Sequence, residues 1–222
     1  MTITEAELDG RRVASPDGAV THCPTCGAEL LEGSRFCSQC GRALGTLFAP
    51  EPDDLLTIVF IDLEGFSRFA ARKSVDDVRN VIRVFNWLVR EQVTRHGGFE
   101  VKQLGDGFML AFSSPAKAVA CAADILRVTA PGGDGTGLPP SVRACAGINS
   151  GDAIREGADF FGHTVNVASR IVGRASGGEL LLSEGTRVLA GHVDGVRFEE
   201  VGLRKLRGIE GRQRLYRAVW AE

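Results

Sequence analysis

The sequence predicts an α+β protein: a β-α-β-β-α-β core, an α-β-α-β-β extension behind it, and a small cysteine-rich module in front. Three observations carry that expectation. Apolar runs of strand character alternate with stretches of helical period. Two strand-like runs follow each other across a glycine-flanked aspartate, with no helix between them. Four cysteines in two C-x-x-C pairs are confined to residues 23–40. The 222 residues correspond to one large domain plus a small module, at roughly 150 residues per domain. With 44% apolar and 24% charged residues, the chain can bury a sizeable core.

The elements follow in order. Residues 55–63 (LLTIVFIDL) are β-branched and apolar, as a strand buried on both faces should be. From Ser67 to His96 the pattern is helical, with Val78, Val81, Ile82, Phe85, Leu88 and Val89 at three- and four-residue spacing, and Gly97-Gly98 ends it. FEVKQL and FMLAFSS around GDG read as a hairpin. Residues 116–130 form an Ala-rich amphipathic helix, and PGGDGTGLPP (131–140) is a loop. Residues 142–155 are again strand-like, followed by a helix over about 163–175. ELLLS is a short strand and EGTRVLAG a short helix; strands over 197–207 and 214–220 close the chain. The β-α-β-β-α-β order is the ferredoxin-like arrangement, in which the first and third strands are antiparallel neighbours.

Composition excludes several function classes. Twenty-six basic against 28 acidic residues give a net charge of −2, so no global basic field recruits nucleic acid or an anionic membrane. The longest apolar run, near Leu55–Ile61, falls far short of the roughly 20 residues of a bilayer span. No secretory signal is evident in residues 1–22, which read as a flexible polar segment, and a cytoplasmic protein is expected.

Cys23, Cys26, Cys37 and Cys40 stand as C-P-T-C-G and C-S-Q-C-G. Each pair makes a tight turn, and four converging thiolates suit one tetrahedral Zn²⁺. In a reducing compartment a metal is favoured over disulfides, and a core this small needs it to fold. Residues 23–44 resemble a zinc ribbon, with a Pro-interrupted acidic linker over 45–54 before the main domain at 55–222. Arg35 and Arg42 are a thin basic surface, which favours a regulatory protein partner for the ribbon over nucleic acid. Cys121 and Cys145 sit in apolar, small-residue contexts and read as core.

The predicted topology brings together two carboxylates distant in sequence. Asp62 ends the first strand and Asp106 opens the third. Asp106 also suits a hairpin turn on its own. Asp62 closes a buried apolar run, where an unpaired carboxylate costs several kcal/mol, and a divalent cation between the two would compensate both. Hard oxygen ligands point to Mg²⁺ or Mn²⁺. Glu64, Gly65 and Phe66 follow, a strand–glycine turn–helix start whose backbone N–H groups can face phosphate oxygens.

FIDLEGFS (60–67), KQLGDGF (102–108) and DFFGHTVNVASR (159–170) together resemble the class III nucleotidyl cyclase catalytic domain, over about Leu56 to Val219. The resemblance implies metal-binding aspartates at Asp62 and Asp106 and a purine-selecting pair at Lys102 and Asp159. It implies an orienting Asn166 and a transition-state Arg170 as well. Lys102 and Asp159 suit adenine, which presents an N1 acceptor and an N6 donor; guanine presents the opposite pattern. The family's triphosphate-binding Lys is replaced: Arg207 matches best, with Lys205 as the alternative, in a segment (197–217) of seven basic and three acidic residues.

The implied protein is an adenylate cyclase making 3′,5′-cyclic AMP and pyrophosphate from ATP. It would use two Mg²⁺ or Mn²⁺ per active site and one structural Zn²⁺, and form a homodimer with shared sites. Rival readings are a catalytically silent nucleotide sensor or regulatory partner, a guanylate cyclase, and a nucleic-acid-binding zinc-ribbon protein.

Overall fold

The structure is a computed structural model that describes residues 22, 28–29, 37, 39, 55–130, 138–156 and 159–220. The chain divides into two units, residues 1–44 and 45–222. In the first unit the described positions include an antiparallel bridge between His22 and Glu29, and a buried Cys37. Cys23, Cys26 and Cys40, the 45–54 linker and most of the 131–140 loop lie outside the described residues.

The second unit is built on a seven-stranded sheet. Its strands are β1 (Leu56–Glu64), β2 (Phe99–Leu104), β3 (Gly107–Phe112), β4 (Arg143–Gly151), β7 (Leu180–Ser183), β8 (Val196–Arg204) and β9 (Gln213–Trp220). The helices are α1 (Phe66–Ala70), α2 (Val75–His96), α3 (Pro115–Val128), α4 (His163–Val172) and α5 (Glu184–Ala190). The order across the sheet is β2-β3-β1-β4-β7-β9-β8, and a separate two-stranded hairpin comprises β5 (Ile154–Glu156) and β6 (Asp159–Phe161). β1 is antiparallel to both β3 and β4, as the ferredoxin-like order requires, and β4–β7 is a parallel pair. This is the predicted α+β architecture.

Strand alternation gives the sheet two buried faces. From β1, Val59, Ile61 and Leu63 enter a core with Phe85, Val89 and Val93 of α2 and Val119, Ala122 and Leu126 of α3. Leu56 and Ile58 point the other way, onto Phe160 of β6 and Ala168 of α4. A third cluster joins Val167 and Ile171 of α4 to Leu181, Leu206, Ile209 and Leu215. Among the described residues no helix is long and apolar enough to cross a membrane.

Several boundaries differ from the sequence expectation, two of them for a clear local reason. The single helix expected over 67–96 is two, because Ser74 starts a new one with a capping box. Its Oγ accepts from the Asp77 N–H at 3.1 Å, and the Asp77 carboxylate accepts from the Ser74 N–H at 3.3 Å. The strand expected over 142–155 stops at Gly151, and the β5–β6 hairpin follows; runs of three residues carry too little periodicity to be read. The helix over 163–175 ends at Val172, and the strand over 197–207 ends at Arg204.

Candidate active site

Asp62 lies two residues from the end of β1 and Asp106 in the Gly105–Asp106 turn between β2 and β3. The β1–β3 register pairs Ile61 with Phe108, which sets Asp62 beside Gly107, the residue after Asp106. That glycine is a close-packing requirement. A Cβ there would fall 2.6 Å from the Ile61 carbonyl oxygen and 3.3 Å from Asp62 Oδ1. The second glycine of the GDG motif therefore clears the space that the Asp62 carboxylate occupies.

The expectation of a buried Asp62 is corrected: the residue is exposed, on the face of β1 opposite Ile61 and Leu63, which are buried in the main core. Water is still partly stripped from it. Partial burial and then the neighbouring Asp106 charge raise the Asp62 carboxyl above its ordinary value, against a Leu63 N–H bond that lowers it. An Asp62 carboxyl raised by the Asp106 charge beside it, with no Cβ at Gly107 to crowd its Oδ1, fits a hard divalent cation.

Gly65 carries the chain out of β1 with φ +84°, and a Cβ there would sit 2.2 Å from the Ser141 carbonyl oxygen. The helix it opens, α1, has only five residues, so it offers a weaker dipole than the long helix expected from sequence. The Glu64 carboxylate accepts from the Gly177 N–H at 2.8 Å, in the loop after α4. What Glu64 can offer a phosphate is thus its main chain. Phe66 packs against the main core beside Phe69.

Lys102 and Asp159 meet directly. Lys102 Nζ donates to Asp159 Oδ2 at 2.6 Å, and Asp159 Oδ1 accepts from the Phe160 N–H at 2.9 Å. Desolvation raises the Asp159 carboxyl, but the Lys102 and Phe160 bonds outweigh it and hold the group below its ordinary value. The lysine ammonium also lies 5.6 Å from the Phe161 ring centre. Lys102 has used one of three donors and Asp159 two of about four acceptor positions, so the pair keeps capacity for a ligand.

Lys102 reaches this face through a β-bulge. Glu100 pairs with Leu110 and Lys102 with Met109, so two residues of β2 oppose one of β3. Strict alternation would put Glu100 and Lys102 on the same face. The extra residue, Val101, lets Glu100 turn to the α2 face while Lys102 turns to the face of Met109 and Phe160.

Asn166 and Arg170 are exposed, one turn apart on α4, whose Val167, Ala168 and Ile171 are buried. The helix lies very close to β4: a Cβ on Gly147 would fall 2.2 Å from the Val172 nitrogen. The β8–β9 loop is fastened under α4 by Leu206 and Ile209, and the Lys205 carbonyl accepts from Arg174 Nη2 at 2.8 Å. Lys205 and Arg207 flank buried Leu206 and are both exposed. Cys145 is buried beneath Asp62, its thiol pushed up to about 12 by burial and by Asp62 and Glu64, and so is a neutral core group.

Sequence reasoning missed the bulge and the hydrogen-bonded residues behind it: Asn86, Arg90, Glu100 and Gln103. An arginine and an asparagine on the apolar side of a helix pattern were the available signal. Among the described residues no three His, Cys, Asp or Glu side chains cluster as a ready-made metal cage.

Residues 22–44 match the zinc-ribbon domain and residues 48–130 the adenylate and guanylate cyclase catalytic domain. A pH-sensitive adenylate cyclase of Mycobacterium tuberculosis is 32% identical over 165 residues, 73% of this chain and 40% of that protein. The chain therefore spans less than half of that relative's length. Among solved structures, an adenylate/guanylate cyclase/hydrolase from Silicibacter pomeroyi superposes with a TM-score of 0.65 at 27% identity, covering 76% of this chain and 96% of that one. An adenylyl cyclase from P. aeruginosa gives 0.66 at 19% identity over 76% and 95%, a likeness of fold.

Proposed function

Since the chain belongs to the adenylate and guanylate cyclase catalytic domain family and carries a zinc-ribbon domain, we propose that it is an adenylate cyclase. It would convert ATP to 3′,5′-cyclic AMP and pyrophosphate. The observation that carries the choice of purine is the Lys102–Asp159 pair, a donor and an acceptor side by side at 2.6 Å. Adenine offers an acceptor at N1 beside a donor at N6, the complement of that pair. Guanine offers the reverse and would leave both protein groups facing their own kind. The adenylate cyclase at 32% identity supports the same reading.

In the reaction the ribose 3′-oxygen attacks the α-phosphorus, the bond to the β-phosphate oxygen breaks, and pyrophosphate leaves with the electron pair. The 3′-hydroxyl proton passes to water or to a substrate phosphate. Asp62 and Asp106 would hold the divalent ions, which when bound favour ionisation of the 3′-hydroxyl and neutralise the triphosphate. Asn166 would orient the ribose, and Arg170 would stabilise charge growing on the α-phosphate. The main chain of Glu64–Phe66 and the Arg207 guanidinium (or Lys205) would hold the remaining phosphates.

A homodimer with sites shared between protomers is part of the reading. Exposed apolar side chains gather at the rim near the purine pair: Ile154 and Phe161, paired across the β5–β6 hairpin, and Leu104 on β2, against which β6 packs. A patch of this kind suits a protein partner. The ribbon's cysteines would hold one structural Zn²⁺ and present a surface to a regulatory protein.

The deciding experiment measures cyclic nucleotide formed from ATP and from GTP, with Mn²⁺ and with Mg²⁺, beside an Asp106→Ala control. Cyclic AMP that disappears in the control is the expected outcome. A folded chain that binds ATP and forms no product would instead make it a silent nucleotide sensor.

A further inference from the structure

Behind the hairpin that carries both Lys102 and Asp106 lies a polar network on the α2 face of the sheet. Arg90 of α2 is buried, and its guanidinium grips Glu100 twice, Nε to Oε2 and Nη2 to Oε1, each at 2.7 Å. It also stacks 5.3 Å from the Phe108 ring centre. Gln103 joins this pair to the turn. Its Oε1 accepts from Arg90 Nη2 and from Asn86 Nδ2, both at 3.3 Å, and its Nε2 donates to the Gly105 carbonyl at 3.1 Å. The Gly105 carbonyl belongs to the peptide that leads into Asp106. One amide side chain thus spans from the buried face of α2 to the turn presenting the metal-binding carboxylate.

The same residues fix the bulge. Glu100 precedes it and is held to the helix by two charge-assisted bonds; Gln103 follows it and is held to the same helix. With both ends of the four-residue stretch pinned to α2, the chain between can keep its extra residue only with Lys102 turned to the opposite face.

We propose that Gln103, backed by Arg90 and Asn86, is the positioning residue that sets the Gly105–Asp106 turn for metal binding and the bulge for Lys102. The proposal rests on the cyclase reading for its consequence in catalysis, but not for its structural content. Gln103 touches neither substrate nor ion; it acts through the Gly105 carbonyl and through β2.

Two variants separate its bonds. Gln103→Met removes all three. Gln103→Glu keeps an acceptor for Arg90 and Asn86 but has nothing to donate to Gly105. Gln103 is exposed at the end of β2, so both chains should fold, which thermal unfolding checks. The first measurement is Mn²⁺ binding to the nucleotide-free full chain, by electron paramagnetic resonance. Both variants should bind about tenfold more weakly, the usual scale for an outer-shell partner of a metal ligand. For Gln103→Glu this runs against simple electrostatics, since an added negative charge alone would tighten cation binding.

The second measurement is hydrogen exchange at the Asp106 and Gly107 amides, which should speed by about tenfold in both variants as the turn loses its tether. Exchange at the wild-type rate in both variants, or unaltered Mn²⁺ affinity in either, overturns the proposal. If the wild-type chain binds Mn²⁺ and forms no cyclic nucleotide, the cyclase reading fails while both comparisons still decide the role of Gln103. If it binds no Mn²⁺, the exchange rates decide it alone.

Discussion

Replacing Lys102 by Met separates a functional from a structural role for the Lys102–Asp159 pair, because the two roles predict effects of different size. The bond is short, 2.6 Å, but the side chains keep 38% and 31% of their exposure. A pair that wet contributes at most about 1 kcal/mol to folding. For a chain of this size about 1 kcal/mol shifts Tm by roughly 2–4 °C, so the variant should melt within about 4 °C of wild type. Met keeps the apolar stem beside the Phe161 ring. In catalysis the change removes a charged donor from the purine edge and leaves Asp159 without the partner that holds its carboxyl low. A hydrogen bond to a charged group is worth about 1.5–3 kcal/mol, so kcat/KM for ATP should fall by roughly 10- to 150-fold at about 1.4 kcal/mol per tenfold. The assay is chromatographic detection of cyclic AMP and cyclic GMP over a range of ATP and GTP, with Tm by differential scanning fluorimetry. Unchanged kcat/KM for ATP would refute the reasoning. So would a collapse in Tm with equal losses for ATP and GTP, which would make the pair a fold contact.

Three further outcomes follow, two from the geometry around Asp62 and one from the proposed sharing of sites in a homodimer. Asp62 has a carboxyl raised in the folded chain, so its contribution to stability is full at acid pH and is lost as pH rises through its raised value. Asp62→Asn should therefore raise Tm slightly in chelator at neutral pH, by the equivalent of under about 1 kcal/mol for so exposed a group, yet gain nothing from added Mn²⁺; a lower Tm in chelator contradicts the assignment. Gly107→Ala forces a methyl to 2.6 Å from the Ile61 carbonyl and 3.3 Å from Asp62 Oδ1. Calorimetry should show a loss of about 1–3 kcal/mol together with weakened Mn²⁺ binding, and wild-type values for both would remove the packing account of that glycine. Finally, Asp106→Ala and Arg170→Ala chains should each be inactive as homodimers and regain activity on mixing. Stable mixed dimers without activity would show that the sites are not shared.

The frame of this protein was legible in its sequence because its signals are local. The β-branched run before Asp62, the helical spacing from Val78 to Val89 and the GDG turn each declare an element within a dozen residues. The element order then makes β1 and β3 antiparallel neighbours, so the approach of Asp62 and Asp106 followed from topology alone. Smaller elements were not legible. A three-residue strand such as β5 or β6 has too few positions to show a period, and the break at Ser74 depends on a capping box that competes with an uninterrupted helical pattern.

The sequence by itself determined the architecture, the chemical types at the site and the four-residue spacing of Asn166 and Arg170, since these depend on order, identity and helical repeat. Only the tertiary structure decided which face Lys102 takes. Alternation along β2 assigns it to the α2 side, and a bulge held by Arg90, Glu100 and Gln103 reverses the assignment. It alone showed that Asp62 is exposed and that Gly107 is the floor beneath its carboxylate. Strand pairing and close approach are contacts between residues far apart in the chain, and no local pattern encodes the distance between two backbones once they meet.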